Sequence, residues 1–186
     1  MSKAVMLSIR PKWVEKIANG EKTIEVRKTK PKLETPFKAY IYCTQDKHLA
    51  FMQNQTGTNL IACMDVNAAI PVGGAIGNGK VIGEFTCDRI YELAPLNHAP
   101  DDVEKQACLT REEIVNYLKG TGYGWHISDL RIYDTPKELS EFKTLCRVDA
   151  DCCACPYYNY TKMDCDGRVI GRPPQSWCYV DDVQAK

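Results

Sequence analysis

The chain has 186 residues, of which 44% are hydrophobic and 26% charged, and its formal net charge is zero. This is the composition of an ordinary soluble globular protein, and the zero charge argues against a strongly basic nucleic-acid-binding protein. No apolar run approaches the roughly 20 residues of a membrane-spanning helix, and the first residues, MSKAVMLSIRPKW, lack an apolar core of signal-peptide length. The sequence therefore predicts a cytoplasmic protein without a membrane partner.

The charges are unevenly distributed along the chain. Residues 1–38 carry ten basic and four acidic side chains, whereas the remaining 148 residues carry 14 basic and 20 acidic ones. A basic N-terminal portion on an acidic body favours a phosphate-bearing partner, and a solvated charged surface is the alternative.

The N-terminal third predicts a strand, a helix and two more strands. Residues 5–10 have the apolar character of a strand, and residues 11–20 predict a short helix that begins at Pro11 and stops at Gly20. The next strand lies in GEKTIEVRK, residues 20–28, and a further one covers residues 37–43.

The strand in GEKTIEVRK has one apolar and one polar side. Ile24 and Val26 point to one side, and the other side carries three polar residues. By parity, two lysines at the ends of the stretch belong to the apolar side. The polar residues are Thr23, Glu25 and Arg27, and the two lysines are Lys22 and Lys28. The polar row is either a solvated surface or the wall of a binding site.

Strand patterns outnumber helix patterns in the rest of the chain. A capping box at Thr110 and Glu113 predicts a helix that ends near Gly120, and a second helix is predicted to open at Thr135. Strands are predicted at residues 80–93, 125–134 and 176–180. Because strands and helices do not alternate regularly, the fold class is α+β, with a mixed, mostly antiparallel sheet or small β-barrel and peripheral helices.

A cysteine-rich segment from about residue 144 to 172 is the strongest signal in the composition. Cys152 and Cys155 have the C-x-x-C spacing that lets two thiolates reach one tetrahedral metal ion, and Cys146 and Cys165 complete a four-sulfur site. The prediction is a structural zinc ion that holds this segment together. Free thiols and an iron–sulfur cluster remain alternatives, and Cys153 or Cys178 could replace one of the four ligands.

The stretch GYGWHISDL, residues 122–130, is a second candidate for ligand binding. Trp125 could stack on a base, and His126 could contact its polar edge. For each residue taken alone, the preferred interpretation is structural, with Trp125 in the core and His126 in one hydrogen bond.

Several of these stretches together resemble a known domain family. LSIRPKWVEKIANGEKTIEVRK is similar to the first strand, helix and signature strand of ASCH domains, which belong to the PUA-like superfamily. GKVIGEFTCDRI and YGWHISDLRIYDTPKELSEF resemble later strands of the family. The cysteine-rich segment followed by RPPQSWCYV resembles the tail of ASCH variants from phage and bacterial genomes.

The resemblance implies a PUA-like β-barrel with a cleft that binds RNA or a modified nucleoside. It gives roles to the signature strand, where Lys22, Thr23, Glu25 and Arg27 would line or border the cleft. Arg27 could fork onto a phosphate or a base edge, Lys22 could act as a point charge, and Glu25 could accept a hydrogen bond from an exocyclic amine.

The resemblance also raises two alternatives to simple binding. Some ASCH proteins hydrolyse acylated cytidine with a lysine, a threonine and a glutamate; Lys22 matches the lysine, but Glu25 stands where the threonine is expected, and Glu84 is only a guess for the glutamate. An amidohydrolase acting on a modified pyrimidine nucleoside is therefore the runner-up. A protein-interaction module stabilised by zinc is the third possibility.

The expected organisation is a core with one insertion. Residues 1–143 would form the PUA-like core, residues 144–172 the cysteine-rich zinc-binding insertion, and residues 173–186 a final strand and tail that return to the core.

Overall fold

The computed structural model of the chain describes residues 3–53, 59–63, 75–93, 99–145, 158–159, 164–165 and 169–182. Within these ranges, strands predominate, and the few helices are short. In chain order the elements are β1 (Lys3–Ile9), α1 (Pro11–Ala18), β2 (Ile24–Arg27), β3 (Phe37–Cys43), β4 (Leu49–Gln53), β5 (Asn59–Cys63), β6 (Ala75–Ile76), β7 (Val81–Cys87), β8 (Ile90–Glu92), α2 (Val103–Ala107), α3 (Arg111–Leu118), β9 (Tyr123–His126), β10 (Ser128–Lys137), β11 (Tyr158–Asn159), β12 (Asp164–Cys165) and β13 (Trp177–Asp181).

A five-stranded sheet in the order β10-β7-β3-β1-β13 organises the fold. Strands β1 and β3 are parallel, and the other neighbours in this sheet are antiparallel. Strand β1 lies between β3 and β13, so the first and last strands of the described chain pair directly. Because β1 is followed at once by α1, the sheet fixes where that helix begins.

Strand β1 is buried on both faces, as its nearly continuous apolar sequence predicts. Val5, Leu7 and Ile9 pack on α1 and on side chains that include Trp125. On the opposite face, Ala4 and Met6 belong to a second apolar cluster with residues of β3 and β13. Two apolar layers therefore enclose this sheet.

A second sheet, in the order β2-β9-β8, is antiparallel throughout. The apolar side of β2, formed by Ile24 and Val26, packs in a third cluster with side chains of α2 and α3. The polar side of β2 is thereby turned away from these helices. The antiparallel sheet β5-β4-β6 and the β11–β12 pair complete the described pairings.

The helices are short, and local sequence signals fix their ends. Pro11 occupies the first turn of α1, and Gly20 follows its end with a φ of +74°. The capping box between Thr110 and Glu113 is formed at the start of α3. In the described part of the chain, every helix is too short or too polar to cross a bilayer.

The α+β class and the mostly antiparallel pairing agree with the sequence prediction. A closed barrel is not observed among the described strands, because β10 and β13 lie at opposite ends of the main sheet. The predicted zinc ligands Cys146, Cys152 and Cys155 lie outside the described residues, and Cys165 is described only as part of strand β12.

Two predicted elements differ from the structure. The helix predicted to open at Thr135 is wrong, because β10 continues through Lys137 and only a short 3₁₀ turn, Leu139–Glu141, follows. A capping box between Glu138 and Glu141 opens this 3₁₀ turn. The strand predicted over residues 125–134 is divided into β9 and β10, with Asp129 at a positive φ of 46° just after the break.

Candidate functional site

A cleft of about 440 Å³ opens beside the polar side of β2. Its walls come from the end of β1, the first turn of α1, strand β2, helix α3 and a C-terminal segment that precedes β13. The lining residues are Ser8, Ile9, Arg10, Trp13, Lys22, Glu25, Val26, Arg27, Thr44, Leu109, Glu113, Tyr117, Pro173, Pro174 and Gln175.

Three charged side chains of the signature strand meet in the wall of this cleft. Lys22 Nζ lies 3.5 Å from Glu25 Oε2, and Arg27 Nη2 lies 3.0 Å from Glu25 Oε1. All three residues are buried, with exposed fractions of 3% for Lys22, 7% for Glu25 and 6% for Arg27. Two cations share one carboxylate, so the buried group carries a net positive charge at the edge of the cleft.

Lys22 is held by the backbone of α2. Its ammonium group donates a 2.7 Å hydrogen bond to the carbonyl oxygen of Ala107 and lies 5.4 Å from the centre of the Trp13 ring. The parity assignment of Lys22 to the apolar side is wrong, because β2 begins only at Ile24 and the lysine precedes the regular alternation. An ammonium has three N–H donors, so with Ala107 and Glu25 as its oxygen partners among the described residues, one donor can serve a ligand.

Arg27 connects β2 to β1 and to the C-terminal segment. Its Nη2 donates to the carbonyl oxygen of Ser8 at 2.8 Å, and its Nη1 is 3.3 Å from the carbonyl oxygen and 3.2 Å from the hydroxyl of Ser176. With the Glu25 ion pair, the four terminal N–H groups of the guanidinium have four acceptors within reach.

Two aromatic side chains from helices also line the cleft, next to the charged side chains of β2. Trp13 comes from the first turn of α1, and Tyr117, which is 45% exposed, comes from α3. Lys12 lies 4.7 Å from the Trp13 ring centre, and Lys28 lies 5.4 Å from that of Tyr117. The aromatic rings offer a stacking surface for a planar base, and the neighbouring lysines provide a favourable potential for an anion.

One acidic group also borders the cleft at the start of α3. Hydrogen bonds from the backbone and hydroxyl of Thr110 hold the pKa of Glu113 below its ordinary value, so this carboxylate is ionised at neutral pH. The lining charges are then Arg10, Lys22 and Arg27 against Glu25 and Glu113, and the balance is positive.

The other predicted binding residues lie outside this lining. The hydroxyl of Thr23 is 3.3 Å from Gln106 Oε1. Trp125 is fully buried and packs edge-on against Phe37 at 5.7 Å between ring centres. The ring of His126 lies 2.6 Å from a carboxylate oxygen of Asp88, on the sheet edge near β8. The structure thus brings together Lys22, Glu25 and Arg27, and not the other three.

Glu84, the candidate for the catalytic glutamate of the hydrolase alternative, also lies away from the cleft lining. It stands on β7, where its carboxylate accepts a 2.7 Å hydrogen bond from the hydroxyl of Tyr133. That bond, together with burial as the larger cause, raises the pKa of Tyr133.

Four cysteines, Cys43, Cys87, Cys108 and Cys178, are free thiols. Burial raises the pKa of Cys43 and Cys87 to about 12, so both stay protonated and inert near neutral pH. Cys108 and Cys178 are partly buried. Among the side chains the structure describes, no three His, Cys, Asp or Glu groups are close enough to hold one metal ion.

The sequence analysis predicted three of the lining residues, Lys22, Glu25 and Arg27, and missed the others, among them Arg10, Trp13, Tyr117 and Gln175. Trp13 carried a usable signal, because it lies in the first turn of the helix that directly follows the first strand. The other three are polar or exposed residues at unremarkable positions, and only the tertiary fold brings them together.

Comparison with known proteins shows that part of the chain is similar to one domain family. The family model of the ASCH domain matches residues 7–84. The crystal structure of ASCH from Zymomonas mobilis is similar to this chain, with 17% identity, a TM-score of 0.50 and coverage of 73% of each chain. A mutant of that protein gives the same identity and TM-score over 73% of this chain and 74% of its own. No curated protein sequence matches this chain.

Proposed function

Because residues 7–84 match the family model of the ASCH domain, we propose that the cleft binds RNA or a nucleotide-like ligand. The observation that carries the proposal is the buried, positively charged group of Lys22, Glu25 and Arg27 beside the rings of Trp13 and Tyr117. A buried excess of positive charge favours an anionic or strongly polar ligand atom. The exposed ring of Tyr117 and the partly buried ring of Trp13 next to it favour a planar base.

The cleft offers a side chain for each kind of group that an RNA or nucleotide-like ligand would present. Lys22 would donate its remaining N–H to a phosphate or carbonyl oxygen, and Arg10 would add positive charge at the exposed rim. Tyr117 would stack on a base from the α3 side, with Lys28 next to its ring. The two lysines that follow β2, Lys28 and Lys30, are exposed and could contact flanking phosphates.

The test is binding of fluorescently labelled single-stranded RNA, measured by anisotropy across a salt titration. We expect affinity that falls steeply with salt. Tyr117→Ala should weaken binding about tenfold, because stacking on one aromatic side chain contributes roughly 1–3 kcal/mol per base. Val115→Ala is the matched control, since Val115 is exposed on the same helix outside the cleft lining. Absence of RNA binding, or equal affinities of the two variants, would contradict the proposal.

Hydrolysis of an acylated pyrimidine nucleoside has weaker support. A nucleophile must lie within hydrogen-bond reach of its base, but Lys22 bonds to a backbone carbonyl and to Glu25, and the Thr23 hydroxyl is next to Gln106. The Ser8 hydroxyl in the cleft donates a 2.6 Å bond to the carbonyl of Pro174. Turnover of acetylated cytidine that Lys22→Ala abolishes would favour the enzyme over the binding module.

A further inference from the structure

A short segment near the C-terminus forms one wall of the cleft. We name residues 172–176 the strap; it follows Gly171 and leads into β13. Pro173, Pro174 and Gln175 of the strap all line the cleft. The rest of the lining comes from residues 8–44 and 109–117, so this wall is supplied by a distant part of the chain.

The strap is attached to β1 through Ser8. The Ser8 hydroxyl donates a 2.6 Å hydrogen bond to the carbonyl oxygen of Pro174, and the Ser8 backbone N–H donates a 2.9 Å bond to the carbonyl oxygen of Ser176. The two bonds reach both sides of Gln175. Two consecutive prolines before it also restrict the backbone, so the position of Gln175 is well defined.

Arg27 attaches the strap to β2 from the other side. One guanidinium nitrogen contacts the carbonyl oxygen and hydroxyl of Ser176, and the other contacts Ser8 and Glu25. Since all four terminal N–H groups have protein acceptors, a ligand phosphate could be gripped only by breaking one of these contacts. The remaining donor, Nε, is buried and has no hydrogen-bond partner within the described chain.

We propose that the strap is the specificity-determining wall of the cleft, in which Gln175 contacts the base and Arg27 is a positioning residue. This inference rests on the proposed RNA or nucleotide binding. In this proposal Arg27 does not contact a ligand phosphate directly. It acts indirectly, by holding the strap in position. A residue that follows the ASCH match by about ninety positions then also belongs to the binding site.

The chemistry of Gln175 fits the reading of a base edge. Its side chain is exposed at the cleft and carries two N–H donors and one acceptor oxygen. An amide of this kind pairs with two atoms of one base edge and discriminates between bases by their donor and acceptor pattern. Because the amide is neutral, it contributes to base preference and not to the electrostatic attraction of the phosphates.

The first experiment measures affinities for short single-stranded oligonucleotides, each of one base type. We expect Gln175→Ala to reduce the preference between the best and the worst base by about tenfold and to leave the salt dependence unchanged. Gln106→Ala, which removes an amide outside the cleft lining, should keep the preference of the unmodified protein. An unchanged preference in Gln175→Ala would overturn the strap inference.

The second experiment separates a positioning role of Arg27 from a phosphate contact. Arg27→Lys keeps the charge but cannot hold four acceptors, so we expect loss of base preference with an unchanged salt slope. If Arg27 contacts a phosphate directly, the opposite result is expected. Arg27→Lys would then retain the base preference, and Arg27→Ala would lower the slope of the salt dependence by about one. Ser176→Ala, which removes one acceptor of Arg27 and no charge, should reproduce the loss of preference in part.

The outcomes distinguish the two proposals. If the unmodified protein binds none of the oligonucleotides, both the proposed function and the strap inference fail. If it binds with a base preference that Gln175→Ala, Arg27→Lys and Ser176→Ala all leave intact, only the strap inference fails.

Discussion

At the scale of single residues, Glu25 has the most constrained environment in the cleft. It is the shared partner of Lys22 and Arg27, and all three side chains are withdrawn from water. Charges in such a position depend on one another, because each would be costly to bury alone. The carboxylate thus serves to keep two cations in place beside the cleft.

We therefore expect Glu25→Gln to lower the free energy of unfolding by about 3 kcal/mol, because it leaves two buried cations without their counter-charge. Urea denaturation followed by circular dichroism measures this change. Glu21→Gln is the control: Glu21 pairs with Lys16 at 2.8 Å on the surface and should cost less than about 1 kcal/mol. Equal stabilities of the two variants would show that the buried group is not electrostatically coupled.

At the scale of secondary-structure elements, alternation in GEKTIEVRK was sufficient to predict which side chains of β2 face the apolar cluster. Ile24 and Val26 do so, and Glu25 and Arg27 face the cleft, because contacts along one strand follow a two-residue period. The same rule failed for Lys22, which precedes the strand. Its position depends on the carbonyl of Ala107 on α2, which is 85 residues away and invisible to local periodicity.

Strand β7 contains a glycine whose role became clear only from its neighbours. Gly83 lies between Ile41 of β3 and Ile132 of β10. A Cβ at this position would lie 2.5 Å from the backbone carbonyl oxygen of Arg131. The GKVIGEF pattern identified the strand, and the structure indicates that close approach of β10 requires the glycine.

Gly83→Ala should consequently lower the free energy of unfolding by about 2 kcal/mol, since backbone atoms of two strands must move apart. Thermal or urea denaturation measures the loss. Gly171→Ala provides the comparison, because its Cβ would meet no atom within 4 Å, and its stability should stay within about 0.5 kcal/mol of the unmodified protein. A Gly83→Ala protein of unchanged stability would exclude this packing constraint.

At the scale of the whole molecule, the cleft depends on contacts between distant parts of the sequence. Ser8 and Pro174, which are joined by a hydrogen bond, are 166 positions apart. Composition and periodicity describe near neighbours along the chain, so they predicted the α+β class, the first helix and the signature strand. They could not predict the strap, or the inclusion of Tyr117, because these depend on how β13 and α3 pack on the core.

The cysteine-rich insertion also begins and ends on the core. Lys143 bridges to Val169 and Thr144 to Val180, while Ile170 donates a 2.9 Å hydrogen bond to the carbonyl oxygen of Phe142. The described residues that flank the cysteine-rich segment on either side are therefore adjacent on the core.

From the spacing of Cys146, Cys152, Cys155 and Cys165, we propose that the cysteine-rich segment holds one structural zinc ion. Elemental analysis of the purified protein should give about one zinc per chain, and chelation should unfold the insertion, as detected by faster proteolysis within it. Cys152→Ser should lose the metal, whereas Cys108→Ser, a change outside the cluster, should keep it. Less than about half an equivalent of zinc, with no change on chelation, would exclude the site. Since the strap directly follows this insertion, loss of zinc should also weaken the base preference that Gln175 is expected to set.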